Sequence, residues 1–497
     1  MFRALTVLGF WCLSISPLIS QPLPTERQRL IPTGTVLEDQ VGGAVSVSGD
    51  VAIVGAVGVG GNFSGAAVIY RRSGTVWQEE QRLEPNPVLP LQLFGATVAI
   101  QGDVAMVGAP LFDVTPNGND GIVFVYRYDG STWVEEQVLT SPVPGGSTFG
   151  RRVKLAGDCA VIGQGGYTNA AGILTGGAHV FRYSAPSWVA EATLVPAAAV
   201  AGDSYGFEVA VSGDRVLLGA PGVDSGGVQV SGAATFFRFD GAAGWIEEQT
   251  VALSTPTSGN FGHSVSLDGD VAVVGAFEAT TPVGPRSGSV SVFRLTAGTW
   301  IEEAVLVAPG LVVQSWFGSA TALLDNDLFI GAPNQGFNGT GGPGATYRYQ
   351  FDGSEWNLLG AIVPANSLLN DDTGASIAYD GETLLIGAPR DDTGFGLDSG
   401  SATIFEVRRF RRGDVNNDGL LDLADPIQLL DILFGVSNTF LCENAADAND
   451  DELVDLADAT RLLSWLFTFA VPPPPAPICG EDPTLGPLGC EVTVSCP

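Results

Sequence analysis

The sequence predicts an all-β fold, a seven-bladed β-propeller of four-stranded blades, followed by a small α module built on two acidic loops. Three observations carry this. A glycine-marked unit recurs seven times, a tryptophan ladder runs in phase with it, and an Asp-rich loop then appears twice, each time before an apolar helix.

In chain order, the first element is a secretory signal over residues 1–20. Arg3 supplies the positive start, Leu5 to Ile15 the apolar stretch, and Ser20 a small residue before a cut near Gln21. That apolar run is too short to span a bilayer core of ~30 Å, and Cys12 has no lipobox-like surroundings. The expectation is an exported chain without membrane insertion.

The propeller is expected over residues 21–407. FGATVAIQGDVAMVGAP from Phe94, FGHSVSLDGDVAVVGA from Phe261 and TGASIAYDGETLLIGAP from Thr373 are copies of one unit. Its GA-step glycines fall at Gly55, Gly108, Gly163, Gly219, Gly275, Gly331 and Gly387, a period of 53 to 56 residues. Trp77, Trp133, Trp188, Trp245, Trp300 and Trp356 keep the same period, which fits packing within or between units. Repeats of this length are supersecondary units that bury their apolar faces against one another.

Each unit reads as four short strands. The first alternates, as at Val98 and Ile100, and ends in a Gly-Asp pair suited to a two-residue hairpin. The second, such as Val271 to Val274, is apolar throughout and fits burial on both faces. The third resembles Ile122 to Tyr126; an Asp-Gly turn at Asp129-Gly130 leads to the fourth, Trp133 to Gln137. Four-stranded units repeated seven times imply a propeller, with a linear solenoid as the alternative. The ends choose between them. Unit seven lacks a fourth strand, whereas Glu26-Arg27-Gln28-Arg29-Leu30 precedes unit one and matches Glu79-Glu80-Gln81-Arg82-Leu83. An amino-terminal strand closing blade seven uses both leftovers and hides two edges.

Over residues 27–407 this pattern resembles the FG-GAP repeats of integrin α-subunits and bacterial surface proteins. Calcium-binding members carry an acidic loop between the first two strands. Here that place holds turns such as Gly102-Asp103 or Gly213-Asp214, with too few oxygens for a cage, so no blade calcium is expected.

Alternating strands put the tight hairpins on one face of the disc and the long connections on the other. Those long connections are 57–64, 111–120, 222–231 and 390–399 within blades, and 84–92 and 308–316 between them. Loops of varying length on a rigid scaffold are the expected binding surface. Trp316 and Phe395 are candidate apolar anchors there, with local packing the plainer reading. Asp391-Asp392 and Asp398 are a candidate cation site, with an Asp-Gly-rich turn that needs no ligand as the plainer reading.

The module is expected over residues 411–470. In GDVNNDGLLDLADPIQLLDILFG, Asp414, Asn416, Asp418, Asp422 and Asp425 stand at loop positions 1, 3, 5, 9 and 12, Gly419 at the turn, and Leu420 where a carbonyl is offered. Calcium takes such an oxygen-only set. Asp425-Pro426 then predicts a helix start, cap and first residue, with Ile427, Leu430 and Leu433 on one side. The second copy, 33 residues on, is Asp447, Asn449, Asp451, Leu453, Asp455 and Asp458, before a helix over Ala459 to Phe467; Glu452 replaces the turn glycine. An acidic turn before a helix explains one such match, not two in tandem. Two Ca2+ sites are expected. The pair resembles type I dockerins, duplicated loop-helix modules, and that resemblance implies a cohesin-like protein as partner; Leu423-Ala424 and Leu456-Ala457 stand where many dockerins have Ser-Thr. Arg412-Gly413-Asp414 spells an integrin-binding tripeptide, but Asp414 is needed for calcium. A Pro/Cys-rich tail, 471–497, ends the chain. Cys442, Cys479, Cys490 and Cys496 suggest two disulfides with three possible pairings.

Composition narrows the function. The net charge is −32, with 54 acidic residues against 22 basic ones. Nucleic acid and anionic membranes call for a basic surface. Two histidines in unrelated contexts leave little for His-based zinc or Ser-His-Asp chemistry, and no HExxH or P-loop appears. Three readings remain: an exported, non-catalytic binding or adhesion protein whose loop face meets a glycan or protein; a polysaccharide-degrading enzyme or accessory subunit, since paired carboxylates are plentiful; and a purely structural surface protein.

Overall fold

The computed structural model describes residues 23–114, 118–143, 146–254, 257–334, 342–407, 411–416, 418, 420–435, 442–451 and 453–468. The signal segment, the tail with Cys479, Cys490 and Cys496, Gly419 and Glu452 lie outside them. Two compact units are formed, one over Leu23–Val407 and one containing the chain from Arg408.

The first unit is a propeller of seven antiparallel four-stranded sheets. Blade two is representative: Thr97–Gln101, Val104–Ala109, Ile122–Tyr128 and Trp133–Thr140, in sequence order from the axis outward. Second strands such as Val271–Ala276 are buried at every residue, which is why they read as unbroken apolar runs. Cys159 is one such buried residue, in blade three.

Blade seven is completed as the sequence predicts. Thr25–Leu30 pairs antiparallel with Ser401–Glu406, from Thr25 opposite Glu406 to Leu30 opposite Ala402, with a bulge between Glu26 and Gln28. Leu30 is buried in the same cluster as Val41, Trp77 and Ile404. The inner strand of blade one packs on that of blade seven as it does on that of blade two, so the array is a ring and not a solenoid.

The two glycine landmarks are where blades touch. A Cβ on Gly55 would stand 2.1 Å from the carbonyl oxygen of Gly95, and one on Gly275 2.1 Å from that of Gly318. Gly387 repeats the contact on Gly42, at 2.0 Å, across the closing interface. Each GA glycine therefore lies against the FG-type glycine of the next blade, and only a residue without a Cβ allows that approach.

The outer strands are joined by a second ladder. Gln81 Nε2 donates to Trp133 O and Trp133 N to Gln81 Oε1, at 2.9 and 2.8 Å. Gln137 does the same with Trp188, and Gln249 with Trp300. The indole N–H of Trp133 donates to Glu80, and that of Trp356 to Glu303. Gln28, on the closing strand, holds Trp77 through the same pair of bonds at 2.7 and 2.8 Å. The tryptophans are inter-blade clamps.

In the second unit, helix α1 is Ala424–Leu433, α2 Glu443–Ala446 and α3 Leu456–Thr468. Helices α1 and α3 pack together over a core of Val415, Leu429, Ala448, Ala459 and Leu462. Val415 and Ala448, like Leu429 and Leu462, are equivalent positions of the two copies. Two sequence expectations need correction. Asp425 is not the cap but lies inside the first turn of α1, because its carboxylate is occupied by the loop amides before it. Ile427 faces solvent, and Leu429 takes the core position expected of it. No helix among the described residues is long and apolar enough to cross a membrane.

Candidate functional site

Two places in the molecule gather chemistry: the long-connection face of the propeller and the paired acidic loops. On the propeller, two-residue turns such as Gly102-Asp103 join the first and second strands, so they and the third-to-fourth hairpins share one face. The opposite face carries the long connections. Local hydrogen bonds hold them in shape: Val36 N donates to Asp39, Leu368 N to Asp371 and Val230 N to Asp224. Asp391 is engaged by Arg29 and Ser401, and Asp392 accepts from Asp398 N at 2.9 Å, so this acidic turn is internally satisfied to a large extent. The 57–64 connection folds into a single wide turn, Val59–Phe63, with Gly60 and Gly61 at positive φ.

These connections expose large apolar side chains. Leu37, Leu91, Leu174, Leu369, Phe395 and Leu397 are among them, and the Leu37 and Leu397 loops are tied together by Glu38 N to Leu397 O. Phe395 is exposed at 58%, whereas Trp316 sits at the mouth of the axial channel, edge-on to Phe277 with ring centres 6.3 Å apart.

The two acidic loops are built alike. Asp414 Oδ1 accepts from Asp418 N at 3.0 Å, and Asp447 Oδ1 from Asp451 N at 3.1 Å. Asp425 accepts from Val415, Asn416 and Asp422 N–H groups; Asp458 accepts from Asn449 and Asp455. Leu420 N donates to Asp418 and Leu453 N to Asp451, while Asp422 and Asp455 receive the N–H groups of Ala424 and Ala457. All twelve residues singled out in the sequence therefore lie in two matching loops. In this conformation their carboxylates turn toward loop amides, and among the described residues no three His, Cys, Asp or Glu side chains form a cluster of metal-ligand spacing.

The oxygen set nevertheless fits a hard divalent cation. Asp414, Asp425, Asp447 and Asp458 are almost wholly buried, and Asn449 Oδ1 is buried with no hydrogen-bond partner. Burial, opposed by the loop amides and reinforced by the nearby Asp414 carboxylate, pushes Asp425 up to about 6; burial does the same to Asp458, with Asp447 and Asp451 adding to it. Acceptors crowded together out of water are what a calcium ion relieves. In this arrangement Asp414, Asn416, Asp418, Asp422, Asp425 and the Leu420 carbonyl would hold one ion, and Asp447, Asn449, Asp451, Asp455, Asp458 and the Leu453 carbonyl the other. Arg412 is itself buried, with Nη2 2.8 Å from Asp450 Oδ1. The Arg412-Gly413-Asp414 tripeptide is thus part of the module's interior and not a displayed ligand.

The glutamine–tryptophan ladder escaped the sequence reading, although its signal was present: Gln81, Gln137 and Gln249 each follow a ladder tryptophan by four residues. No curated protein sequence matches the chain. A family model described as FG-GAP repeat matches residues 77–126, 188–237, 247–293 and 356–405. Each match starts on the outer strand of one blade and ends on the third strand of the next, so it spans the glycine contact between blades. The chain accordingly carries FG-GAP repeats, folded as a seven-bladed propeller.

Proposed function

We propose that the chain is an exported, non-catalytic binding or adhesion protein. Its propeller presents the long-connection face to a glycan or protein, and its C-terminal module holds two Ca2+ ions and attaches the chain to an extracellular assembly, with a cohesin-like protein as the partner class. The observation that carries the reading is the asymmetry of the disc: one face is tight hairpins, the other is rigid loops holding Leu37, Leu369, Phe395 and Leu397 in water. Single exposed apolar side chains are ordinary, but several held out together by neighbouring rigid loops favour a docking surface.

The test is a binding screen of the full chain against immobilised glycans, cell-wall polysaccharides and extracellular proteins, with hydrolysis of the same panel followed in parallel. The reading expects a ligand whose binding is lost when the 390–399 connection is exchanged for the equally long 278–287 connection of blade five, without a change in melting. Turnover of any panel member, or a ligand crosslinked to the hairpin face, overturns it.

A further inference from the structure

Because the blades are repeats, each position on the seven inner strands can be compared around the axis. In six blades one channel-lining position holds a small residue: Ser46, Ala99, Ala210, Ser266, Ala322 and Ala378. Blade three places Lys154 there, the only lysine of a chain with net charge −32. Two residues nearer the long-connection face, five blades again hold Ala, Ser or Thr, and blades three and four hold Arg152 and Glu208. A repeat array that breaks its own pattern at one spot marks a functional spot more often than a structural one.

The half of the channel toward the long connections encloses about 340 Å³, and its charged lining is Arg152, Lys154 and Glu208. Glu208 is taken, accepting from Arg152 Nε at 2.6 Å. Lys154 makes no ion pair or hydrogen bond among the described residues. Arg151 lies beside them with its guanidinium 4.5 Å from the centre of the Phe207 ring, and its Nε is buried without a partner. The cavity is locally cationic within an acidic protein.

Its mouth is aromatic. Of its lining residues, His263 and Phe277 have ring centres 4.2 Å apart and Phe277 leads on to Trp316; Phe207, outside the lining, is 5.1 Å from His263. The Trp316 indole N–H is buried with no acceptor. Ser264 and Ser376 spend their protons on Gly318 O and Gly42 O, both at 2.7 Å, so they offer lone pairs to a donor. Cations for a carboxylate, lone pairs for hydroxyls and flat apolar faces for a ring describe one ligand class, in a volume typical of small-ligand sites.

We infer that the axial channel is a binding site for an acidic saccharide, with the carboxylate of a uronate unit on Lys154 and Arg152 and its ring against the Phe277–Trp316 aromatics. The inference rests on the reading of the propeller as a binding domain and names its ligand class. Lys154 is the selectivity residue and Trp316 the stacking residue.

The experiment is calorimetric titration of the full chain with a uronate trisaccharide, its methyl ester and the matching neutral trisaccharide. The acid is expected to bind at least tenfold more tightly than the other two. Lys154→Gln should reduce acid binding about tenfold and leave the neutral sugar unaffected; Lys154→Arg should retain the preference. Trp316→Leu should weaken all three. Since Lys154 is the sole lysine, its acetylation by an amine-reactive reagent, read by mass spectrometry, should slow when the acid is bound. Equal binding of acid and ester, or unchanged affinity in Lys154→Gln with unprotected acetylation, overturns the channel site. If the chain binds none of the three yet binds another target through the 390–399 connection, the inference fails and the binding-protein reading stands; if no screen yields any ligand, both fail.

Discussion

Substituting Gly275 by alanine tests the contact that sets blade spacing. The new Cβ would lie 2.1 Å from Gly318 O, against the 3.4 Å or more of ordinary contact. Blade six must therefore retreat by about 1.3 Å in an interior packed like a crystal. Overpacking of this kind costs about 1–3 kcal/mol, and an obstacle of backbone with a full sheet behind it belongs at the upper end. Spread over the 23–407 unit at about 2.1 cal/mol/K per residue, about 3 kcal/mol lowers the melting temperature by roughly 4 °C. Gly387→Ala meets Gly42 O at 2.0 Å and should cost as much, because a closed ring has no free end to absorb the strain. Gly269→Ala, in a hairpin with nothing within 4 Å but a φ of +51°, should cost only the backbone penalty of about 1–2 kcal/mol. Scanning calorimetry of the three variants decides it. If Gly275→Ala melts within a degree of the parent, glycine contact does not set the spacing; if Gly387→Ala alone is tolerated, the ring is not closed as described.

Gln28→Ala leaves the backbone N–H and C=O of Trp77 without the side-chain bonds that hold them, and should cost about 1–3 kcal/mol in urea denaturation; an unchanged midpoint would remove the closing clamp. His179 is buried between Gln164 and Thr193, and burial pushes its imidazole down to about 4. With the folded value below the unfolded one, the contribution is present above about 6.5 and fades as pH falls toward 4, worth about 3 kcal/mol at most. His179→Gln should flatten that part of the stability–pH profile, and an unaltered slope would refute it. Calcium at a hundredfold over its Kd should stabilise the C-terminal module by about 2.7 kcal/mol for each occupied site, with Asp458→Ala lowering the stoichiometry from two to one; absence of any calcium heat withdraws the metal sites.

What the sequence disclosed and what it withheld have physical reasons. Blade number, strand order and the closing strand were legible because burial imposes period-two alternation and the glycine contacts impose a fixed landmark, so Gly55 and Gly387 read alike. The likeness of the loops at 414–425 and 447–458 was legible because their spacing is local. The place of Asp425 within α1 was not, since hydrogen bonds from Val415 and Asp422 decide whether an aspartate caps or turns inward. Lys154 stood out as the one lysine, but its place on the channel was not legible: one charged residue in an alternating strand points to either face until neighbours on both sides are known.

The strand Thr25–Leu30 finds its partner only at Ser401–Glu406. A ribosome adding 5–20 residues per second needs roughly 20 to 75 s to make the intervening chain. For that interval the first segment has no partner and the growing array has an open end. Once Glu406 is available, however, the last pairing joins the two ends of the propeller, and no blade can then detach without breaking interfaces on both its sides. Slow completion is thus coupled to slow disassembly, a form of persistence set by connectivity and not by the strength of any one contact.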